Sequence, residues 1–334
     1  MYKVSFQTNC YTWVPYGYTS LYPGTGYTLD YALRNLADIG YDGVEIDCAH
    51  ILDTRLWTIS KCQRQKLKNA ITELGLEVEA FSAHEWPLQS VSFTSSDAET
   101  RKLGMEWTKN IIDLAADFGT KIVTTHVPSP NIRCARLLPG MPRGFFKSTH
   151  TGQWGLTVFP SLSYTNEERE LLLQSVGECS DYCSDRNILF AIEEYSPDNY
   201  WKEFIKEVGS PALKINFHIG AVWRRIYTSK GVIGKHSLSD AVHDLGSLIV
   251  HTHCMDYKRV SSMPSLVKNA SRGTVEVMPG AGECDFLGFL HALKKIGYKG
   301  YLTIECHRSD ISPEIQASQA LENMRKLLSQ AMGR

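Results

Sequence analysis

No stretch of the 334-residue chain stays apolar for the roughly 20 residues that a membrane span requires. The opening MYKVSFQTNC carries no charged leader followed by an apolar run, so we expect a cytoplasmic protein without a membrane partner. An excess of charge of one sign is also lacking: 35 Lys and Arg stand against 36 Asp and Glu, for a formal net charge of -1. Binding to a phosphate backbone draws on a concentrated basic face, so we expect no nucleic-acid partner and a small, neutral or polar ligand instead. A disulfide framework is missing too. The nine cysteines are odd in number and scattered, and Cys48, Cys254 and Cys306 fall inside apolar runs, as reduced thiols do. Cys179 and Cys183, four apart on an expected helix, lack the two nearby partners that a structural zinc needs.

What is present is alternation. Short runs rich in Val, Ile and Phe recur between longer segments of helical period, the pattern of strand-helix units and a parallel sheet. The strands are expected at Val4 to Asn9, Gly43 to Asp47, Glu77 to Ser82, Lys121 to His126, Ile188 to Glu193, Leu213 to His218, Ser247 to His253 and Gly300 to Glu305. Eight is the number that closes a (β/α)8 TIM barrel, and the length suits one such domain over residues 1–334. Thr28 reads as the cap of a helix carrying Leu29, Leu33, Leu36 and Ile39 on one face, with Gly40 as its left-handed stop. Thr165 to Glu168 reads as a capping box. Gly40-Tyr41-Asp42-Gly43 and Gly297-Tyr298-Lys299-Gly300 look like two copies of one helix-to-strand turn. One connection is out of scale. The insertion 127–164 after the fourth strand is rich in Pro, Gly and Arg, and it leaves the barrel end where active sites form, so it reads either as a substrate loop or as a subunit contact.

Four strand ends carry metal-ligand chemistry. Glu193 closes the run Leu189 to Ile192, His218 closes Leu213 to Phe217, His253 closes Ile249 to Thr252, and Glu305 closes Tyr301 to Ile304. If the barrel closes, these tips of the fifth to eighth strands meet at its mouth. Two carboxylates and two neutral imidazoles balance one divalent ion, and the mixed oxygen and nitrogen set suits Mn²⁺, Co²⁺, Fe²⁺ or Zn²⁺ better than Ca²⁺. Glu193 is preferred to Glu194 because it shares the register of Glu305.

The segments Leu33 to Ile46, Ile111 to Gly119 and Pro279 to Phe286, together with these strand ends, resemble the xylose isomerase-like superfamily of sugar phosphate isomerases and epimerases. The resemblance spans most of the chain. It implies a TIM barrel whose metal is held by Glu193, His253 and Glu305, with Mn²⁺ favoured and with His218 where the family carries an aspartate. It also implies a substrate contact from Arg259, six residues after His253. Where the ketose epimerases place a second, substrate-touching histidine, this chain has Ala221.

The expected chemistry is removal of a proton next to a sugar carbonyl, giving an enediolate, with Glu193 and Glu305 as first candidates for the base and His126 and His150 as alternatives. Trp13, His84 and Trp154 are added as candidate substrate contacts. A keto-sugar isomerase or epimerase is the leading expectation, expected to form a homo-oligomer. The alternative is elimination on 3-oxo-C-glycosides of polyphenols, as in the large subunit of C-glycoside deglycosidases, suggested by the aromatic residues in the loop and between Tyr11 and Tyr27; a small partner subunit would accompany that reading. The apurinic endonucleases share the barrel but need more His and Asp ligands and a positive surface. A non-catalytic subunit remains open and would lack stoichiometric metal.

Overall fold

Eight strands pair in parallel and close on themselves: β1 (Val4–Gln7), β4 (Gly43–Ile46), β5 (Glu77–Ser82), β6 (Ile122–Thr125), β7 (Leu189–Glu194), β8 (Leu213–His218), β9 (Ile249–Cys254) and β13 (Leu302–Ile304). The order around the barrel is β1, β13, β9, β8, β7, β6, β5, β4. This computed structural model describes residues 2–14, 17–18, 27–47, 50–51, 55–83, 93–126, 165–194, 200–228, 237–259, 270–271, 274–308 and 311–333. The insertion 127–164 therefore lies outside the described residues. Two small sheets flank the barrel: a ribbon of β2 (Trp13–Val14) and β3 (Gly17–Tyr18), and an antiparallel sheet in which β12 (Thr274–Val277) lies between β10 (Asp256–Arg259) and β11 (Ala270–Ser271).

The expected strands form, with ends displaced by a residue or two. The first stops at Gln7 because a short helix, α1 (Asn9–Thr12), starts there, and the seventh begins at Ile249 because Gly246–Leu248 makes a 3₁₀ turn. The remaining helices are α2 (Leu29–Ile39), α3 (Lys61–Glu73), α4 (Ala98–Phe118), α5 (Asn166–Ser184), α6 (Tyr200–Val208), α7 (Ile219–Thr228), α8 (Leu238–Leu245), α9 (Phe286–Lys295) and α10 (Pro313–Ala331). Their punctuation is chemical. Thr28 accepts the Tyr31 amide, and Thr165 and Glu168 form the reciprocal capping box. Gly40 and Gly297 take φ of 97° and 75°, and the next residue in each case returns a bond to the last helical turn, Tyr41 to Leu36 and Tyr298 to Leu293. The two copies of that turn are real.

Alternation along the strands decides what fills the barrel. Phe6, Val44, Val123, Phe190, Ile192, Ile215 and Phe217 are buried; Phe217 stacks on Phe289 of α9 at 5.6 Å, which marks this face as the one covered by helices. Each such side chain contributes about 1.5–3 kcal/mol by leaving water. The other face of the strands is polar and equally buried: Ser5, Glu45, Thr124, Glu193, Asn216, His251, His253 and Thr303. A barrel lumen is ordinarily packed with branched aliphatics. Here it is hydrogen-bonded and charged, a departure that places chemistry inside the fold.

Candidate metal centre

Parallel register sets the heights of the ligands. His218 lies opposite His253 across β8 and β9, Glu193 lies opposite Asn216 across β7 and β8, and Thr303 pairs with His253, which leaves Glu305 just past the end of β13. Their side chains converge. His253 Nδ1 stands 3.3 Å from Glu193 Oε2 and 3.2 Å from Glu305 Oε2. His218 Nε2 stands 3.2 Å from the same Glu305 oxygen and 3.9 Å from Glu193 Oε1. Glu193, His218 and Glu305 thus form one buried group that can hold an ion, and His253 completes it.

The spacing fits a divalent ion. At bond lengths of about 2.1 Å, neighbouring ligands of an octahedral ion stand about 3 Å apart. Glu305 Oε2 is buried and accepts no well-aligned hydrogen bond among the described residues, although two imidazole nitrogens lie 3.2 Å away. A buried carboxylate oxygen left in that state is costly and is what a cation relieves.

A polar scaffold surrounds these residues, and sequence reasoning did not identify it. Glu45 Oε2 accepts from His253 Nε2 at 2.8 Å and from His251 Nε2 at 3.0 Å, while its Oε1 accepts from Thr124 Oγ1 at 2.5 Å. His251 Nδ1 lies 3.3 Å from Glu79, whose other oxygen accepts from the Ser5 and Thr303 hydroxyls, each at 2.8 Å. Because Glu45 engages Nε2 of His253, Nδ1 is the nitrogen turned toward Glu193 and Glu305. Asn216 Nδ2 is 3.2 Å from both ring nitrogens, an equality that a donor on either lone-pair axis would not have. Glu305 Oε1 is 3.1 Å from His307 Nε2 and 3.4 Å from Asn9 Nδ2, and the His307 amide donates to Glu276 at 2.6 Å. Glu193 has a matching histidine: His126 Nδ1 lies 3.4 Å from its Oε2.

Electrostatics follow from burial against charge. Burial works to raise the Glu45 carboxyl, but the His253 and His251 rings outweigh it and hold it well below the usual carboxylate range. Burial likewise opposes charge on His251, and Glu79 and Glu45 overcome it, pushing the ring up to about 9. Glu305 is held well below its ordinary value, since His307 and His253 outweigh desolvation, and His253 is raised by Glu45, Glu305 and Glu193 against the same penalty.

The other expected residues lie as follows. His126 sits just past β6, 8% exposed. Arg259 ends β10, with its side chain 68% exposed and its guanidinium paired to Glu283 of the Pro279 to Asp285 loop at 2.6 Å. Only the backbone of Trp13 is described, in β2; His84, His150 and Trp154 lie outside the described residues. The segment around Pro279 explains itself: Asp256, fully buried, accepts from the amides of Tyr257, Gly280, Gly282 and Cys284 at 2.8 to 3.1 Å. Gly280 has φ of 79°, and a Cβ on Gly282 would fall 2.3 Å from the Asp256 carboxylate. Seven of the nine cysteines are described, and all seven are free thiols; burial pushes Cys179 up to about 12 and raises its neighbour Cys183 as well, so both sit inert in the core. Among the described residues no helix is long and apolar enough to cross a membrane.

Comparison with known proteins places this architecture. Solved structures of similar shape include a xylose isomerase domain protein from Planctomyces limnophilus (18% identity, TM-score 0.64, covering 100% of this chain and 99% of that one). An L-ribulose 3-epimerase is 16% identical with a TM-score of 0.65, covering 99% and 96%. The apo form of 3-keto-D-glucoside 4-epimerase from E. coli is 18% identical with a TM-score of 0.62, covering 98% and 100%. No curated protein sequence matches the chain. Residues 33–327 match the profile of the xylose isomerase-like TIM barrel, and the chain belongs to that family.

Proposed function

We propose that the chain is a divalent-metal-dependent enzyme that moves a proton at the carbon beside a carbonyl of a keto sugar, as an isomerase or epimerase. The observation that carries this reading is the convergence of Glu193 and Glu305 on His253 Nδ1, at 3.3 and 3.2 Å, at the C-terminal mouth of the barrel. Glu193, His253 and Glu305 would hold the ion, with His218 beside them, and the oxygen and nitrogen donors favour Mn²⁺ with Co²⁺, Fe²⁺ or Zn²⁺ as alternatives. Such an ion, when bound, supplies Lewis acidity that polarises a carbonyl and its neighbouring hydroxyl. The chain supplies the rest. A carboxylate oxygen of Glu193 or Glu305 takes the proton from carbon, the C–H electron pair moves toward the carbonyl oxygen, and the proton returns to the same or the neighbouring carbon. His126 beside Glu193 and His307 beside Glu305 hold the two carboxylates in place. The names of the structural neighbours, two of them sugar epimerases, support the same substrate class. We place the protein in the cytoplasm.

Elimination on 3-oxo-C-glycosides drew on the loop 127–164 and the aromatic opening, which lie largely outside the described residues, so no observation favours it. Metal analysis of the purified protein, followed by a screen of ketoses and 3-keto-glycosides in deuterated water, tests the proposal. Deuterium at a sugar carbon, dependent on stoichiometric metal, is the expected result. Full turnover after exhaustive chelation would overturn it.

A further inference from the structure

His218 is the last residue of β8 and immediately precedes α7. Its Nδ1 accepts the backbone amide of Ala221, the third residue of that helix, at 3.0 Å, the bond by which a helix-capping side chain satisfies an amide with no partner inside the helix. An amide is only a donor, so the Nδ1 lone pair is in use. A neutral imidazole has one lone pair and one N–H. The hydrogen must therefore sit on Nε2, the nitrogen that faces Glu305 and Glu193. A nitrogen carrying hydrogen cannot ligate a metal. Glu305 Oε2 lies 3.2 Å from it and Glu193 Oε1 3.9 Å, so this N–H faces the carboxylates that bound the site. His253 shows the opposite arrangement, with Nε2 given to Glu45 and Nδ1 turned to the carboxylates.

We propose that His218 is not a fourth ligand but a fixed hydrogen-bond donor of the site, its Nε2–H offered to an oxygen of the substrate, while Glu193, His253 and Glu305 alone hold the ion. This rests on the metal-dependent reading above and deepens it. Three protein ligands leave more of the coordination sphere to substrate oxygens, so the site takes a ligand with adjacent carbonyl and hydroxyl oxygens. The donor stands where negative charge develops on such an oxygen. An aspartate at 218 would behave differently, because one carboxylate oxygen can cap Ala221 while the other binds metal.

Two measurements test this. In protein labelled with ¹⁵N-histidine, long-range proton–nitrogen correlation reads the tautomer of the ring that disappears in His218→Asn. We expect hydrogen on Nε2 and a bare Nδ1, both metal-free and with Zn²⁺ added; hydrogen on Nδ1, or loss of the Nε2 hydrogen on adding Zn²⁺, overturns the proposal. Mn²⁺ affinity by chelator competition then compares the wild type with His218→Asn and His218→Asp, two good helix caps of the same size. Asn is expected to bind within about threefold of wild type and Asp about tenfold tighter or more, whereas loss of a direct ligand would cost more than the about 10–100-fold that loss of a ligand's outer partner does. A loss of that size in His218→Asn overturns the proposal. If the wild type takes up neither Mn²⁺, Co²⁺ nor Zn²⁺, the metal-dependent reading falls with the three-ligand site, and the tautomer still decides whether His218 is a donor.

Discussion

Glu45→Gln isolates the charge beneath the candidate metal centre. Glu45 is fully buried, with one oxygen accepting from His251 and His253 and the other from Thr124. Glutamine has the same shape and can keep all three bonds: its carbonyl faces the two rings and its NH₂ faces the Thr124 hydroxyl, which can accept. What disappears is the negative charge. A hydrogen bond from a ring to a carboxylate is roughly twice as strong as one to a neutral acceptor, so two such bonds should weaken by about 2–3 kcal/mol together. Part of that loss should appear at the ion, because His253 is no longer held with Nδ1 turned outward. Outer partners of metal-binding histidines are worth about 10–100-fold in affinity, or about 1.4–2.7 kcal/mol, which agrees with the bond estimate. The assay is Mn²⁺ competition against a fluorescent chelator, with circular dichroism to check the fold. Thr124→Val, which removes only the bond to Oε1, should cost clearly less. Unchanged affinity in a folded Glu45→Gln protein would refute the role assigned to Glu45.

Glu305→Gln should abolish metal-dependent turnover while the far-ultraviolet spectrum stays native, since it removes a charged ligand without changing shape; retained activity would remove Glu305 from the site. Asp256→Asn should lower stability by about 2–4 kcal/mol in urea titrations, because Gly280 and Gly282 both donate to one oxygen, and an NH₂ there leaves both buried amides unmet; a loss under 1 kcal/mol would mean the loop finds other acceptors. Shortening 127–164 should raise the substrate KM while Mn²⁺ occupancy is kept, or else change the assembly seen by size-exclusion chromatography. Wild-type behaviour on both counts would leave neither expected role standing.

The four residues of the candidate site were legible because they lie where an apolar run ends, a one-dimensional signal that survives without coordinates. His218 ends β8, Glu193 and His253 stand one residue before the ends of β7 and β9, Glu305 follows β13, and closure of the barrel does the rest. The scaffold beneath them was not legible in the same way. Glu45 stands between Val44 and Ile46, and a lone carboxylate inside a short buried strand was a usable signal. His251, two residues before His253, was another, because period two puts both on the inner face. Glu79 gave none: the stretch Glu77 to Ser82 reads as an ordinary amphipathic strand, and only the register with β4, irregular between Val44 and Glu45, turns Glu79 toward His251. The antiparallel sheet of β10, β11 and β12 also went unread, for its strands are short and polar and form by pairing across sequence.

The lumen's polarity bears on how the fold tolerates its own site. Four carboxylates, Glu45, Glu79, Glu193 and Glu305, lie inside one barrel, and each unpaired charge there would cost several kcal/mol. The lower pair shares His251, while hydroxyls of Ser5, Thr303 and Thr124 take up the remaining oxygens. His251 Nδ1 lies 3.3 Å from Glu79 without a well-aligned bond, and Glu45, His251 and His253 are themselves a group that could hold an ion. In the upper pair Glu193 Oε2 and Glu305 Oε2 both face His253 Nδ1, and Glu305 Oε2 accepts no well-aligned bond among the described residues. If the ion sits between Glu193 and Glu305, stability should depend on metal mainly through the upper layer. Removing the ion should loosen the mouth of the barrel, around Glu193 and Glu305, while amide hydrogens of β1, β4 and β5 keep their protection in hydrogen exchange. Uniform loss of protection across all eight strands on chelation would show instead that the ion holds the whole lumen together.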